Sequence, residues 1–388
     1  MSVTFKVLLR GSPLRRTYVS HFDFLRVPQT LFFRTDENGS VTIRNTGTTT
    51  LDPSGPSGTI SVRVYAQNAV ARVLDGNFPI PIEVSQSFSV AQGGSININT
   101  DSEQQDHFRI MDACLTAYDA VFRDFSPFNR SSRQAFPFGV EPSVVATRNK
   151  LPRIEVVYPD NSPVPLAFVE PVSIGTGFPL IHIKNKTLDL RLFGGSGTDA
   201  TLIPHELAHA LYFSLMSAVT RASVEAQYLG WITSRIASGL PPFHNTDLAT
   251  SPFVAWIEAL GLFSERFFFF RQRHSPPLIG VALRQAFFRD ELSSKPLLKS
   301  TALTGYRPAG VIQSGKLVPA LTGENVEGAV YGAVFLDFAR RVGLREAVGR
   351  YLRSSTENVL RFDDFRNLII NETDFDSDII EVANTWIL

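Results

Sequence analysis

Two hydrophobic periods that cannot belong to the same kind of element divide this chain. From Val3 to about residue 100, apolar and polar side chains alternate in short runs: Val3–Leu9, Thr30–Arg34, Val41–Arg44, Thr59–Ala66 and Phe78–Val84. Turn-forming stretches such as Asp36-Glu37-Asn38-Gly39 and Asp52-Pro53-Ser54-Gly55-Pro56-Ser57-Gly58 separate them. A period of two puts one face of each strand on a core, and runs this short and evenly spaced predict an antiparallel β-sandwich. From Thr201 onward the apolar residues follow a helical pattern, broken at Gly239-Leu240-Pro241-Pro242, at Ser275-Pro276-Pro277 and over residues 297–323, which predicts a helical bundle. Between these regions, Phe108, Met111, Leu115, Tyr118 and Phe122 form a helical stripe over 107–125, and strand-like runs follow at 152–158 and 180–183. Polar residues 93–106 mark the first boundary. The expected architecture is multidomain α+β: a β-sandwich over 1–100, an α/β segment over 101–215 and an α-helical C-terminal bundle over 216–388.

A length of 388 residues allows two or three packing units, each with its own core. The single cysteine, Cys114, excludes an internal disulfide and reads as a small buried hydrophobe in the 107–125 helix. Basic and acidic residues number 37 each, so no net positive field recommends a nucleic-acid partner. The loop Gly194-Gly195-Ser196-Gly197 lacks a Walker lysine and the GxGxxG pattern. Residues 201–220 and 252–270 approach the length of a bilayer span. The first holds His205, Glu206 and His209 and the second Glu258, Glu265 and Arg266, so both read as buried core helices, with no membrane insertion. The N-terminal residues form a strand pattern without the apolar core of a signal peptide. The expected location is the cytoplasm, or outside it as a mature or non-classically exported form.

The chemistry is carried by His205-Glu206-Leu207-Ala208-His209. Four helical residues turn the chain through about 400° and raise it about 6 Å, so both imidazoles leave one face one turn apart and can share a tetrahedral metal. Glu206, one position on, stands beside such a metal rather than on it, where a carboxylate can take a proton from water. With seven histidines and 17 glutamates in the chain, about 0.006 such motifs are expected by chance. Pro204 suits a helix first turn, and Ala208, Ala210, Leu211 and Phe213 make the helix apolar all round.

A zinc hydrolase needs a third protein ligand and an open fourth position. The extended HExxHxxGxxH pattern fails, because Tyr212 and Leu215 occupy its glycine and third-histidine positions. Glu225, Glu258, His244 and His274 are the candidates. An unbroken helix from His209 would carry Glu225 about 24 Å away. Glu258 instead follows the Pro241-Pro242 break and the helix start Thr250-Ser251-Pro252, on a second helix able to pack antiparallel and return its carboxylate to the metal.

These residues, with Trp256-Ile257-Glu258-Ala259-Leu260, resemble the gluzincin metallopeptidases, the group of thermolysin and the aminopeptidase N-like enzymes. Val330-Tyr331-Gly332-Ala333-Val334-Phe335-Leu336-Asp337-Phe338 and the helical residues beyond it are similar to the region after the aminopeptidase catalytic domain. The resemblance covers residues 105–370 and implies a thermolysin-like α/β catalytic subdomain, a Zn2+ cofactor on His205, His209 and Glu258, Glu206 as acid and base, and Tyr331 as oxyanion stabiliser. Separately, Phe33 to Ile43 looks like the hairpin of prealbumin-like or carboxypeptidase-regulatory-like β-domains. The chain departs from the aminopeptidases in lacking G-x-M-E-N, with Gly175-Thr176-Gly177-Phe178-Pro179 before the expected edge strand, and from thermolysin in placing Leu262 where an aspartate orients a histidine.

The expected function is zinc-dependent hydrolysis of a peptide or protein substrate, which could add as a strand along Leu180–Ile183. The rival is a binding protein that keeps the peptidase fold as a degenerate scaffold and acts through its β-domain. Arg266-Phe267-Phe268-Phe269-Phe270-Arg271 reads as helix packing with arginines snorkelling outward.

Overall fold

The computed structural model describes residues 2–21, 33–44, 59–68, 70–76, 78–89, 94–98, 103–123, 154–160, 167–170, 179–183, 202–239, 250–273, 280–292, 310–313, 316–319, 326–371, 375, 377 and 379–380. The loops at 52–58, 194–197 and 240–249, residues 175–178, and both His244 and His274 lie outside them. The fold is mixed α+β, in two compact units built from interleaved segments: 1–116, 129–166 and 182–188 in the first, and 117–128, 167–181 and 189–388 in the second.

The first unit holds β1 (Ser2–Leu9), β2 (Ser12–Pro13), β3 (Thr17–His21), β4 (Phe33–Arg34), β5 (Ser40–Arg44), β6 (Thr59–Asn68), β7 (Ala71–Asp75), β8 (Phe78–Pro81), β9 (Glu83–Ser89), β10 (Gly94–Ile98) and β11 (Ile154–Tyr158). In β1 the alternation is literal: Val3, Phe5, Val7 and Leu9 are buried while Thr4 and Lys6 face solvent. One sheet is centred on β1, with β10 on one side and β2 and β5 on the other. A second runs β11-β7-β6-β3-β4, with β8 on β7 and β9 on β6.

Both of these sheets include a parallel pair, which corrects the expected purely antiparallel pattern. β10, drawn from the stretch read as a polar boundary, runs parallel to β1 with Phe5 opposite Gly94, and β11 runs parallel to β7. The β7–β11 pair is buried on both faces, where Arg72 lies directly opposite Glu155 and forms a buried ion pair with it. The Asp36–Gly39 turn forms as its residues require. The Asp36 carboxylate accepts from the Asn38 and Ser40 amides, each at 2.8 Å, and Gly39 sits at φ +73°, with the Val7 carbonyl where a β-carbon would go. Helix α1 (Glu103–Ala117) buries Phe108, Met111, Cys114 and Leu115, and its Met111 carbonyl accepts from the Asn68 side chain at 2.8 Å.

The second unit begins with a π-helical turn, Tyr118–Phe122, and with β12 (Ala167–Glu170); β12 pairs with β13 (Leu180–Ile183), whose first two residues belong to the second unit and whose last two belong to the first. With β12 along one side, and Ile183 at its end accepting from the Asp160 amide at 2.9 Å, β13 is not the free edge expected for an extended substrate. Helices α2 (Leu202–Leu215), α3 (Ala218–Ala237), α4 (Pro252–Arg273) and α5 (Gly280–Glu291) follow, then a short hairpin of β14 (Gly310–Gln313) and β15 (Lys316–Pro319). Helix α6 (Glu327–Tyr331) continues through a π-helical stretch, Gly332–Phe338, and a last turn, Ala339–Val342; α7 (Leu344–Ser354) and α8 (Phe362–Asn371) complete the unit.

The helix through His209 does not run on to Glu225. It stops at Leu215 because Ser217 caps a new helix, its Oγ accepting from the Thr220 amide at 3.1 Å, and because the Arg221 guanidinium donates to the Met216 carbonyl at 3.0 Å. Helix α4 starts where Ser251-Pro252 predicts, with Ser251 Oγ accepting from the Val254 amide. Its aromatic run packs inward: Phe263 stacks on Phe335 with centroids 4.8 Å apart, and Phe267 meets Phe287 edge to face at 5.0 Å. Arg266 does not snorkel. It is buried, pairs with Glu291 at 3.0 Å and lies over the Tyr331 ring. No helix among the described residues is long and apolar enough to cross a membrane.

Candidate metal centre

Helices α2 and α4 place three donor side chains around one point. His205 Nε2 lies 2.9 Å from Glu258 Oε2, and His209 Nε2 lies 3.3 Å from the same oxygen. The two imidazoles meet edge to face with centroids 4.8 Å apart, as a four-residue helical spacing allows. One donor atom from each of His205, His209 and Glu258 lies within 4.8 Å of the others. A tetrahedral zinc site with bonds of about 2.0–2.1 Å has edges of about 3.3 Å. The nitrogen-to-oxygen separations are therefore already close to tetrahedron edges, and the donor set of two imidazoles and a carboxylate is one that zinc accepts.

The electrostatics point the same way. Burial alone would lower the pKa of His205, but hydrogen bonding to Glu258 and Glu265, with the charges of Glu258 and Glu206, outweighs it and holds the imidazole well above its usual value. A site that retains a proton against burial carries surplus negative charge, which a divalent cation can neutralise in the proton's place. Glu206, the second residue of the motif, is 7% exposed.

Glu225 sits on α3 and does not join this group. Burial raises its pKa, and the charge of Glu170 raises it further. The Tyr331 hydroxyl is engaged elsewhere, donating to Glu291 Oε2 at 2.8 Å, so Arg266, Glu291 and Tyr331 form a buried cluster. Of two residues that motif spacing did not single out, one reaches the centre and the other is affected by its charges. Glu265, two turns beyond Glu258 on α4, brings Oε2 to 3.5 Å from His205 Nδ1. Tyr228, on α3, has its phenol pushed far up by burial and then by the charges of Glu258, Glu206 and Glu327. The seven-residue interval from Glu258 was the available signal for Glu265, since it returns a helix to the same face. For Tyr228 no sequence signal exists, because its approach depends on how α3 packs after the Ser217 break.

A scan against protein-family models finds no match to this sequence, and none of the curated proteins matches it.

Proposed function

We propose that this protein is a zinc-dependent peptidase whose metal ligands are His205, His209 and Glu258, the first two from a thermolysin-like α/β catalytic subdomain over 101–215 and the third from the helical residues beyond it. The observation that carries the reading is the convergence of His205 Nε2 and His209 Nε2 on Glu258 Oε2, with buried Glu206 between the two histidines in the motif. A zinc ion held there would lower the pKa of water and polarise a carbonyl oxygen.

The chain's own residues supply the remainder. His205 and His209 leave α2 on one face, and Glu258 faces them from α4, so rigid helices fix the position of the reacting centre. Glu206 takes the proton from the attacking water as its oxygen closes on the scissile carbonyl carbon, then returns that proton to the departing amine nitrogen. Both ligand helices are packed into apolar surroundings, with Leu207, Ala208 and Leu260 fully buried, and burial of this kind strengthens charge interactions among the ligands.

The test is metal analysis combined with a peptide library. Purified protein is expected to carry one zinc per chain and to cleave peptides, with activity lost to a chelator and restored by zinc. Glu206→Gln should keep the zinc and lose at least 100-fold in kcat. A chain without zinc or cleavage would leave the binding-protein alternative, and full activity in Glu206→Gln would overturn the mechanism.

A further inference from the structure

We propose that Glu265 is the positioning residue for His205: it accepts from Nδ1–H and so holds the imidazole in the tautomer that turns the Nε2 lone pair toward the metal. The inference rests on the zinc reading above and identifies a residue that no motif supplied.

Three observations support it. Glu258 and Glu265 stand seven residues apart on α4, two turns along one face, and the His205 ring lies between them, with Nε2 2.9 Å from Glu258 and Nδ1 3.5 Å from Glu265. Gly261, between the two glutamates in sequence, forms the floor. A β-carbon there would stand 2.7 Å from Cε1, 2.7 Å from Nε2 and 2.9 Å from Nδ1, so the edge of the ring that carries both nitrogens faces the helix backbone. Glu265 is also buried, with its side chain 10% exposed, an environment in which an anion needs a donor, and the imidazole Nδ1–H can serve as one.

The arrangement has a chemical consequence. A neutral imidazole carries one N–H, and the hydrogen bond at one nitrogen decides which nitrogen keeps its lone pair. A carboxylate on Nδ1 fixes the proton there, leaves Nε2 free to ligate and raises its basicity. Among the described residues, His209 Nδ1 is buried with no hydrogen-bond partner. The two histidines therefore differ, and His205 is the one whose ring α4 orients. Leu262, one turn after Glu258, cannot do this, and Glu265 reaches the ring from a turn further along.

The test compares zinc affinity, by competition with a chromophoric chelator, in the full-length protein and in Glu265→Ala, Glu265→Gln and Glu265→Asp. Nitrogen-15 spectra of histidine-labelled protein report the tautomer of His205. Glu265→Ala should weaken zinc binding about 10- to 100-fold, a range typical of lost outer-sphere partners, and should change the Nδ1 signal of His205. Glu265→Gln, nearly isosteric and still an acceptor, should lie between wild type and Glu265→Ala, and it carries the test if the alanine variant does not fold. Wild-type zinc affinity with an unchanged His205 spectrum in both variants would overturn the inference and leave the zinc site standing. If wild type and His205→Ala bind zinc equally poorly, the zinc reading falls and the proposal with it.

Discussion

The indole Nε1 of Trp256 donates to the hydroxyl of Tyr212 at 2.8 Å, joining the two helices that carry His205, His209 and Glu258. Tyr212 is three residues beyond His209 and Trp256 two before Glu258. The Tyr212 hydroxyl passes its own proton to the Val359 carbonyl at 2.7 Å, and Trp256 stacks on Tyr351 with centroids 4.2 Å apart. Tyr212→Phe removes an acceptor and a donor in a fully buried place. It should cost about 1–3 kcal/mol, read as a lower urea midpoint at constant slope. An unchanged midpoint would mean the bond does not tie the helices.

Gly261→Ala should act on the metal and not simply on the helix. Alanine favours a helix over glycine by about 1 kcal/mol, yet here its methyl would collide with the His205 ring. Zinc affinity should fall at least tenfold. Gly230→Ala is the matched control: that glycine lies mid-helix in α3 with nothing within 4 Å of a built β-carbon, so its substitution should raise stability by about 0.5–1 kcal/mol and leave zinc binding alone. Equal behaviour of the two variants would refute the contact.

Zinc should stabilise the fold and change its pH response. At 100 times its dissociation constant a ligand adds about 2.7 kcal/mol, visible as a higher Tm that a chelator reverses. Without metal, the pKa of His205 is raised in the folded state. The stability it contributes is full below the unfolded histidine value of about 6.5 and is lost as pH rises through the folded value. Metal-free protein should therefore lose stability as pH rises from the unfolded value to the folded one, whereas zinc affinity should rise over the same range as the proton leaves. His205→Ala should abolish both trends, and their survival in that variant would assign them elsewhere.

Cys114 offers a probe of opening. Burial, and then the charge of Asp112, pushes the thiol up to about 12, whereas an unfolded cysteine ionises near 8.5. At pH 8.5 the folded chain should resist an alkylating reagent that labels it within minutes in denaturant. Rapid labelling of the native chain would contradict the burial of α1.

Arg266, Glu291 and Tyr331 test a buried charge. Arg266→Met removes a cation paired with the fully buried Glu291 and should cost about 3–5 kcal/mol, whereas Tyr331→Phe, which removes the hydrogen bond to that carboxylate, should cost about 1–2. Because the Tyr331 hydroxyl is held by Glu291, kcat in Tyr331→Phe should stay within a few fold of wild type. A 100-fold fall would return Tyr331 to the role of oxyanion stabiliser.

Sequence pattern reached the elements with one wet face. β1 and β5 alternate, and α4 announces itself at Ser251-Pro252. It did not reach β7, where Ala71, Arg72, Val73 and Leu74 are all buried and no alternation survives, nor the parallel placement of β10, which is decided by its distant partner β1. The break at Ser217 was written as a serine three residues before a threonine, a signal outweighed by the apolar run around it. At the metal centre, the spacing of His205 and His209 set their common face, and the helix start at Pro252 pointed to Glu258. Glu265 was signalled only by its seven-residue interval from Glu258, and Tyr228 depends on how α3 packs, which no local pattern encodes. Tyr331 was placed by resemblance, and its hydroxyl went to a partner 40 residues upstream.

The parallel pairing of β1 with β10 also bears on how the chain is made. Phe5 finds Gly94 about 90 residues later, and Ala71 must likewise wait for Ile154, so both sheets close through pairings that are far apart in sequence. During synthesis β1 leaves the ribosome well before its parallel neighbour exists, with one row of amides and carbonyls open to other chains. Folding of the first unit should therefore be paced by loop closure, and the exposed lysine and threonine on the outer face of β1, Lys6 and Thr4, stand where they discourage another strand from adding during the wait.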